Sequence, residues 1–331
     1  MKAPMPATTP APLSELQSVM HPAGADAAII HQFSWVLFVG GTIIFVAVMA
    51  LLALGMRREA RPVRPMRWIF GGGIVFPAVV LTALLTWSTW RSIDLAPQTS
   101  HNALTISVTG KMWWWEVRYR DPTNGREIVS ANEIVIPVGE SVYLGLTASD
   151  VIHSLWVPAL AGKRDMIPGR VTGLNLRADK PGVYRGQCAE YCGEQHARMA
   201  FHVIALPRPE FDAWLARQAA PSLAADTQVL QRGRDAFLAQ SCQACHTIRG
   251  LTDRPENMRQ QIADTSRLGP DLTHVGSRRT IGAGTLNNHR GTLAGWIADP
   301  QAIKPGVFMP PSQDLDGETL RALATYLEHL K

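Results

Sequence analysis

The segment Cys188–Met199 reads CAEYCGEQHARM and holds two cysteines, a histidine and a methionine. Taken alone, it is compatible with a disulfide loop, a redox-active dithiol or a metal site. The chain of 331 residues has only two further cysteines, Cys242 and Cys245, which is too few for a disulfide scaffold. Both pairs have spacings typical of metal or haem ligands, so the rest of the chain decides between these interpretations.

Two long apolar runs precede this segment. Residues 29–56 and 68–90 carry no charged side chain, and each exceeds the roughly 20 residues that a helix needs to cross a bilayer core. The loop between them is rich in arginine, which places that loop in the cytoplasm and both termini outside. We therefore predict a transmembrane hairpin over residues 29–92, preceded by a flexible tail over residues 1–28.

The net charge of +5 is concentrated in the same loop, where five arginines accompany one glutamate between residues 56 and 67. The remainder of the chain is nearly neutral. Because a nucleic-acid-binding protein needs a basic patch spread over its binding face, we predict no nucleic-acid partner.

Short runs of alternating apolar and polar residues follow over residues 101–206, separated by turn signals such as Asn124-Gly125. This pattern is typical of a small β-sandwich or barrel. Residues 207–228 read as a helix and a linker, and residues 229–331 contain helical patterns around a loop-rich stretch. The predicted architecture is multi-domain, with a transmembrane hairpin, an all-β barrel and an all-α C-terminal domain.

The C-terminal domain contains the pentapeptide CQACH at Cys242–His246. Its two cysteines can each bond a haem vinyl group while the adjacent histidine binds the iron. Downstream, KPGVFMPP offers Met309 as the second axial ligand, with His274 and His289 as competing candidates. His/Met ligation favours electron transfer over oxygen binding. We predict a covalent haem c held by Cys242, Cys245, His246 and Met309, with LGPDL (268–272) walling its proximal face.

The ligand types of the opening segment predict copper. Thiolate, imidazole and thioether groups favour copper over magnesium, calcium or manganese. A blue-copper site uses one cysteine, whereas Cys188 and Cys192 can bridge two copper ions. A second imidazole is then needed, and His153 in DVIHSLWVP follows a predicted strand. A disulfide between the two cysteines is the alternative in an oxidising compartment.

CAEYCGEQHARM, with DVIHSLWVPALAGKRDMIPGR and GKMWWWEVRY, closely resembles subunit II of haem–copper cytochrome c oxidases, which carries the dinuclear copper centre CuA. The resemblance covers residues 25–206 and implies a cupredoxin-like barrel. The C-terminal domain resembles the cytochrome c domain fused to subunit II in the caa-type subfamily. The implied copper ligands are His153, Cys188, Cys192, His196, Met199 and the backbone carbonyl of Glu190.

The resemblance implies further roles for acidic and aromatic residues. Asp165 and the side chain of Glu190 match residues that help hold a magnesium ion shared with subunit I. Trp113 matches a surface tryptophan through which electrons reach CuA, and Trp114 and Trp115 extend this patch. Alternation along a strand places Trp114 on the opposite face from its two neighbours, so at least one tryptophan face is expected to be exposed.

The function implied by the resemblance is that of an electron-entry subunit of a terminal respiratory oxidase. Haem c would accept electrons from cytochrome c or another donor cytochrome, and copper would pass them to the haem of catalytic subunit I. That subunit would reduce oxygen to water with proton pumping. Subunit III and membrane lipid are further expected partners, in a bacterial plasma membrane with the copper and haem domains on the outer side. The alternatives are the equivalent subunit of a nitric oxide reductase or a membrane-tethered copper or redox protein.

One feature departs from the family pattern. In many relatives the second span opens with a glutamate that feeds protons to subunit I, whereas residues 68–70 here are Trp-Ile-Phe and the span holds no acid. Protons then enter through another subunit, or Glu15, Asp26 or Glu59 takes the place of that glutamate.

Overall fold

The computed structural model describes residues 17–57, 64–95, 104–252 and 269–331. Residues 1–16 of the predicted tail, with Glu59, His101 and Leu268, lie outside the described residues. Within these ranges the chain forms an apolar helical hairpin, a β-sandwich and a helical domain. The fold class predicted from the sequence is confirmed.

Two apolar helical stretches form the N-terminal hairpin. The first is a helix over Ala25–Gly55, and the second runs over Pro65–Ser92. Both are long and apolar enough to cross a membrane, and the most apolar stretch of each is not buried by any other described part of the chain. Phe33 packs edge-on against Trp87 with ring centroids 5.0 Å apart. This contact joins the start of the first stretch to the end of the second, as an antiparallel pair requires.

The second stretch contains a wide π-helical turn over Gly71–Val75, between α-helices Pro65–Phe70 and Phe76–Ser92. Pro77 has no N–H to donate, and in a regular α-helix its ring would clash with the carbonyl four residues earlier. A π-turn placed just before the proline changes the local hydrogen-bond spacing. The helical stretch can therefore continue through the proline.

The first helix is attached to the β-sandwich at its N-terminal end. The N–H of Ala27 donates to the carbonyl of Leu160 at 3.2 Å. A Cβ atom at Gly24 would lie 2.7 Å from the same carbonyl oxygen, so the close approach depends on glycine. Because these contacts order residues 25–28, the helix begins earlier than the apolar run predicts.

The strands of the β-sandwich are β1 Thr105–Lys111, β2 Trp114–Arg120, β3 Glu127–Ala131, β4 Glu133–Pro137, β5 Val142–Ala148, β6 His153–Trp156, β7 Arg164–Met166, β8 Thr172–Leu176, β9 Gly182–Cys188 and β10 Ala200–Leu206. They form two five-stranded sheets, with strand orders β3-β2-β1-β5-β8 and β4-β10-β9-β6-β7. Within these sheets β1 pairs with β5 and β4 with β10 in parallel, and the other neighbours are antiparallel.

The core of the sandwich follows the alternation of the sequence. In β5 and β9 every second side chain is buried between the sheets, as expected of strands with one face on the core. Trp115 and Phe201, at 0% exposure, pack against each other with ring centroids 5.0 Å apart. Trp115 also packs edge-on against the ring of His153, so the hydrophobic core reaches the predicted copper ligands.

The C-terminal domain is helical, with one small hairpin. Tyr326 and Phe237 are fully buried in its core, and Gly233 lets two helices approach closely, since a Cβ there would lie 2.2 Å from the carbonyl oxygen of Ala322. A helix over Arg208–Ala219 leads from the sandwich to this domain. Its elements are helices Gln228–Ala239, Arg290–Ala298, Pro300–Ile303 and Gly317–His329, the 3₁₀ turns Cys242–Ala244 and Val275–Ser277, and paired strands Thr280–Ile281 and Leu286–Asn287.

The helical domain packs directly on the β-sandwich. The N–H of Ala200 donates to the carbonyl of Ala283 at 3.0 Å. The N–H of Arg279 donates to the buried carboxylate of Glu133 at 2.6 Å. The contact therefore places the segment around residues 279–284 against the end of the CAEYCGEQHARM segment.

Candidate copper and haem sites

The predicted copper ligands lie on two neighbouring strands and the loop that follows one of them. β9 ends at Cys188, and the loop after it holds the other candidate ligands up to the start of β10. His153 opens β6, whose Leu155 is paired with Cys188. Antiparallel pairing of β6 with β9 thus brings a histidine distant in sequence to the cysteine loop.

The six predicted ligands form one connected cluster. The two cysteine sulfurs lie 3.8 Å apart. The Cys188 sulfur lies 3.9 Å from Nδ1 of His153 and 3.2 Å from the carbonyl oxygen of Glu190. The Cys192 sulfur lies 3.6 Å from Nδ1 of His196 and 3.8 Å from the sulfur of Met199. Both cysteines are free and buried.

These donors fit a pair of copper ions. Cys188 lies beside the imidazole of His153 and the backbone carbonyl of Glu190. Cys192 lies beside the imidazole of His196 and the thioether of Met199. Such soft and borderline donors suit copper. The contact between the two sulfurs lowers the pKa of Cys188 and raises the pKa of Cys192, and the thiolate is the form that binds metal.

Asp150 orients the His153 imidazole. Its carboxylate accepts a hydrogen bond from Nε2 of His153 at 2.8 Å, which turns Nδ1 toward Cys188. Burial lowers the pKa of His153, but the hydrogen bonds to Asp150 and Cys188 outweigh it and the net shift is upward. Sequence reasoning did not identify Asp150, although an acid three positions before a ligand histidine is a usable signal, since such carboxylates fix ligand histidines.

The predicted magnesium residues are less closely grouped. Asp165 is exposed on β7, where it pairs with Ser154 of β6, and Glu190 is half-buried in the loop after β9. Neither joins a cluster of three or more potential metal ligands within the described parts of the chain, where His153, Cys188 and Cys192 form such a cluster.

The CQACH segment lies where the helix Gln228–Ala239 gives way to a 3₁₀ turn. Nδ1 of His246 donates to the carbonyl of Pro270 at 2.8 Å, which leaves Nε2 available for iron. Burial lowers the pKa of His246, so the imidazole stays neutral as a ligand must. A Cβ atom at Gly269 would lie 2.5 Å from Cε1 of His246. The described part of the LGPDL segment therefore packs against His246, the predicted proximal ligand.

A cavity between the helical domain and the sandwich brings the predicted haem ligands together. Cys242, Cys245, His246 and Met309 all line it, together with apolar side chains. The competing histidines have other roles: Nε2 of His274 bonds to the carbonyl of Ala220, and His289 caps the helix Arg290–Ala298. Neither is among the described residues that line the cavity. This arrangement favours Met309 as the distal ligand.

The expectation of an exposed tryptophan patch is wrong. Trp113 is 8% exposed, Trp114 9% and Trp115 0%. The helical domain covers the first two, because Phe308 stacks on Trp113 and Ala283 packs against Trp114. Trp113 also lies just before β2 and outside its alternation. Sequence alternation describes one sheet and takes no account of a second domain packed on it.

Trp113 connects the two ligand sets. Its indole N–H donates to the backbone carbonyl of Cys192 at 2.8 Å. Its ring lies 6.1 Å from that of Phe308, with an interplanar angle of 20°. Phe308 immediately precedes Met309. Two aromatic rings and one hydrogen bond thus connect Met309, the predicted haem ligand, to Cys192, a predicted copper ligand.

Comparison with known proteins gives two family matches. Residues 104–206 match the periplasmic domain of cytochrome c oxidase subunit II, and residues 230–331 match cytochrome c. Cytochrome c oxidase subunit 2 of Alkalihalophilus pseudofirmus is 39% identical over 238 residues, which cover 72% of this chain and 64% of that protein. The subunit 2 of Bacillus sp. (strain PS3) is 32% identical over 271 residues, covering 78% of this chain and 72% of that protein.

A solved structure is also similar. The periplasmic domain of subunit II of cytochrome oxidase from Bradyrhizobium japonicum is 34% identical, covers 38% of this chain and 97% of that one, and has a TM-score of 0.34.

Proposed function

We propose, from the premise that this chain belongs to the cytochrome c oxidase subunit II family and carries a cytochrome c domain, that it is the electron-entry subunit of a terminal respiratory oxidase. A covalent haem c bound by this chain would supply the centre at which electrons enter. A dinuclear copper centre would supply the one from which they leave for the haem of catalytic subunit I, which reduces oxygen to water with proton pumping. The haem would be held by Cys242, Cys245, His246 and Met309, and the copper pair by His153, Cys188, Cys192, His196, Met199 and the carbonyl of Glu190.

The observation that carries this proposal is the link through Trp113. When bound, the haem and the copper pair supply the two redox centres. The protein supplies the short connection between them, in which the Phe308 ring stacks on Trp113 and the Trp113 N–H donates to Cys192 at 2.8 Å. Because electron transfer weakens steeply with the width of a through-space gap, stacked rings and a hydrogen bond favour rapid transfer.

The sandwich holds its ligands in fixed positions. His153 is 0% exposed and is bonded to Asp150, while Cys188 ends a paired strand. Ligands fixed on strands by packing and by outer hydrogen bonds move little when charge changes. A site that needs little rearrangement suits electron transfer.

The covered position of Trp113 also decides where a donor acts. Phe308 and the rest of the helical domain occupy the face of Trp113 that a soluble cytochrome would approach. A cytochrome c or another donor cytochrome therefore reduces the haem of this chain and does not contact Trp113.

The partner subunits follow from the family and from the membrane hairpin. The two apolar helices support a position in a bacterial plasma membrane, where subunits I and III are the proposed partners, with the arginine loop inside and the copper and haem domains outside. Asp165 and Glu190 contribute to a magnesium site that subunit I completes. Neither residue belongs to a group of three potential metal ligands within the described parts of the chain, so subunit I would have to supply the remaining ligands.

The test replaces Trp113 and measures electron transfer from haem to copper after rapid reduction of the haem. Trp113→Leu removes both the stacked ring and the N–H donor, so we expect markedly slower transfer with full copper and haem content. Trp113→Phe keeps a ring and is expected to fall in between. Trp214→Phe, on the helix Arg208–Ala219 and packed against Tyr119, is the matched control.

An unchanged rate in fully loaded Trp113→Leu would contradict the proposed route. The terminal acceptor is then tested with the purified complex and a reduced cytochrome as donor, by comparing the rate of oxygen consumption with the rate of nitric oxide consumption. Oxygen consumption is the expected result.

A further inference from the structure

Lys304 is a buried lysine at the contact between the two domains. It follows the short helix Pro300–Ile303 of the helical domain, and its exposed fraction is 1%. Its ammonium nitrogen lies 2.9 Å from the carbonyl oxygen of Trp113, 2.8 Å from that of Arg198 and 3.0 Å from that of Gly282. Two of these acceptors belong to the β-sandwich and one to its own domain.

While the domains are in contact, the ammonium group of Lys304 has a full set of protein acceptors. A lysine has three N–H donors, and here each has a backbone carbonyl. No carboxylate within the described residues forms an ion pair with it. Removing the donors while the domains stay in contact would leave the carbonyls of Trp113 and Arg198 without this partner, which is unfavourable for a buried acceptor. Separating the domains would let water take the place of the lost donors.

The acceptors of Lys304 lie on both sides of the electron path. Trp113 stacks on Phe308, which is four positions after Lys304. Arg198 immediately precedes Met199, and its guanidinium donates to the carbonyl of Ile303 at 2.5 Å. Lys304 therefore fixes both the loop that carries Phe308 and the loop that carries a copper ligand.

We propose that Lys304 is a positioning residue that locks the helical domain onto the β-sandwich in the orientation in which Phe308 stacks on Trp113. The lock is a set of contacts in this chain and stands without cofactors. Only its consequence, faster transfer from haem to copper, rests on the proposed function. Sequence reasoning did not single out this lysine, although a lysine is conspicuous at the start of the otherwise uncharged segment KPGVFMPP.

The test is hydrogen exchange in full-length Lys304→Met, which keeps an unbranched apolar side chain and removes the donors. The reporters are the amides of Ala200 and Arg279, whose hydrogen bonds cross the domain contact. A hydrogen bond to a charged group stabilises a contact more than one between neutral groups. Because the variant loses such bonds, we expect the amides of Ala200 and Arg279 to exchange roughly tenfold to a hundredfold faster than in the wild type. Amides inside β5, over Val142–Ala148, are expected to be unchanged.

Lys180→Met is the matched control, because Lys180 is an exposed lysine of the sandwich. In this control variant the amides of Ala200 and Arg279 are expected to exchange at the wild-type rate. Copper and haem content are measured in each variant. If Lys304→Met fails to assemble with copper and haem, Lys304→Gln is used with the same reporters. Failure of both to assemble would overturn the lock, since losing a lock should separate two folded domains and leave each intact.

The kinetic readout separates the lock from the proposed function. Faster exchange with slower electron transfer supports both. Faster exchange with unchanged transfer supports the lock and overturns the Trp113 route. Unchanged exchange at Ala200 and Arg279 overturns the lock, whatever the rate of transfer.

Discussion

Gly110 offers a direct test of the copper site, because its backbone lies against the ring of His153. A Cβ atom at this position of β1 would lie 2.8 Å from Cδ2, 3.0 Å from Cγ and 3.2 Å from Cβ of His153. Carbon atoms in contact prefer about 3.5–4.0 Å. In Gly110→Ala the imidazole must therefore move by roughly 0.5–1 Å.

The ring has little freedom to make that movement. It is fully buried, and Nε2 is bonded to Asp150 at 2.8 Å. Overpacking of this kind costs about 1–3 kcal/mol. If this destabilisation acts on the copper-bound state, copper affinity falls by roughly fivefold to 150-fold, since about 1.4 kcal/mol corresponds to a factor of ten in affinity.

The assay is a competitive copper titration of the purified full-length chain against a chelator, followed by optical and magnetic-resonance spectra of the bound metal. Gly145→Ala on the neighbouring strand β5 is the control, because its Cβ would meet only Val171, at 3.8 Å. We expect weakened binding and an altered spectrum in Gly110→Ala alone. If that variant binds copper with wild-type affinity and spectrum, His153 is not a ligand and the reasoning is refuted.

Two further predictions concern the haem and the sandwich. Met309→Leu should keep the covalent haem but lower its reduction potential in a redox titration, and an unchanged potential would mean that another residue is the distal ligand. Glu116 is buried, and although burial raises its pKa, the ion pairs with Arg118 and Lys111 lower the pKa overall. Because the folded-state pKa lies below the unfolded value, the ionised carboxylate stabilises the fold above about pH 4.3, and this contribution is lost as the pH falls through the folded-state pKa. Glu116→Gln should therefore lower the thermal unfolding midpoint near neutral pH, and less so in acid, whereas an equal effect at both would contradict the ion-pair account.

The parts of the site that sequence predicts well are those set by local spacing. Cys188, Cys192, His196 and Met199 are close along the chain, so one loop must bring them together. His153 was a candidate as well, because it follows a predicted strand and the site needed a second imidazole; the structure instead places it at the start of β6. The resemblance to a known family implied that His153 is a ligand, and the pairing of β6 with β9 that brings it to Cys188 was found only in the structure.

The parts that sequence missed depend on contacts between distant segments. The burial of Trp113 depends on Phe308, and the role of Lys304 depends on three carbonyls from three segments. Alternation and ligand spacing describe single elements and contain no information on how two domains pack. The start of the first helix at Ala25 has the same cause, since its first turn is ordered by the sandwich.

The central claim is that one chain holds both a copper pair and a covalent haem. The most direct test is copper and haem analysis of the isolated full-length chain, with magnetic resonance of the oxidised protein. The cluster around Cys188 and Cys192 predicts two copper atoms per chain and a multi-line resonance from a mixed-valence pair, and the CQACH segment predicts one covalent haem. One copper per chain with a four-line spectrum, or haem that is released on denaturation, would contradict it.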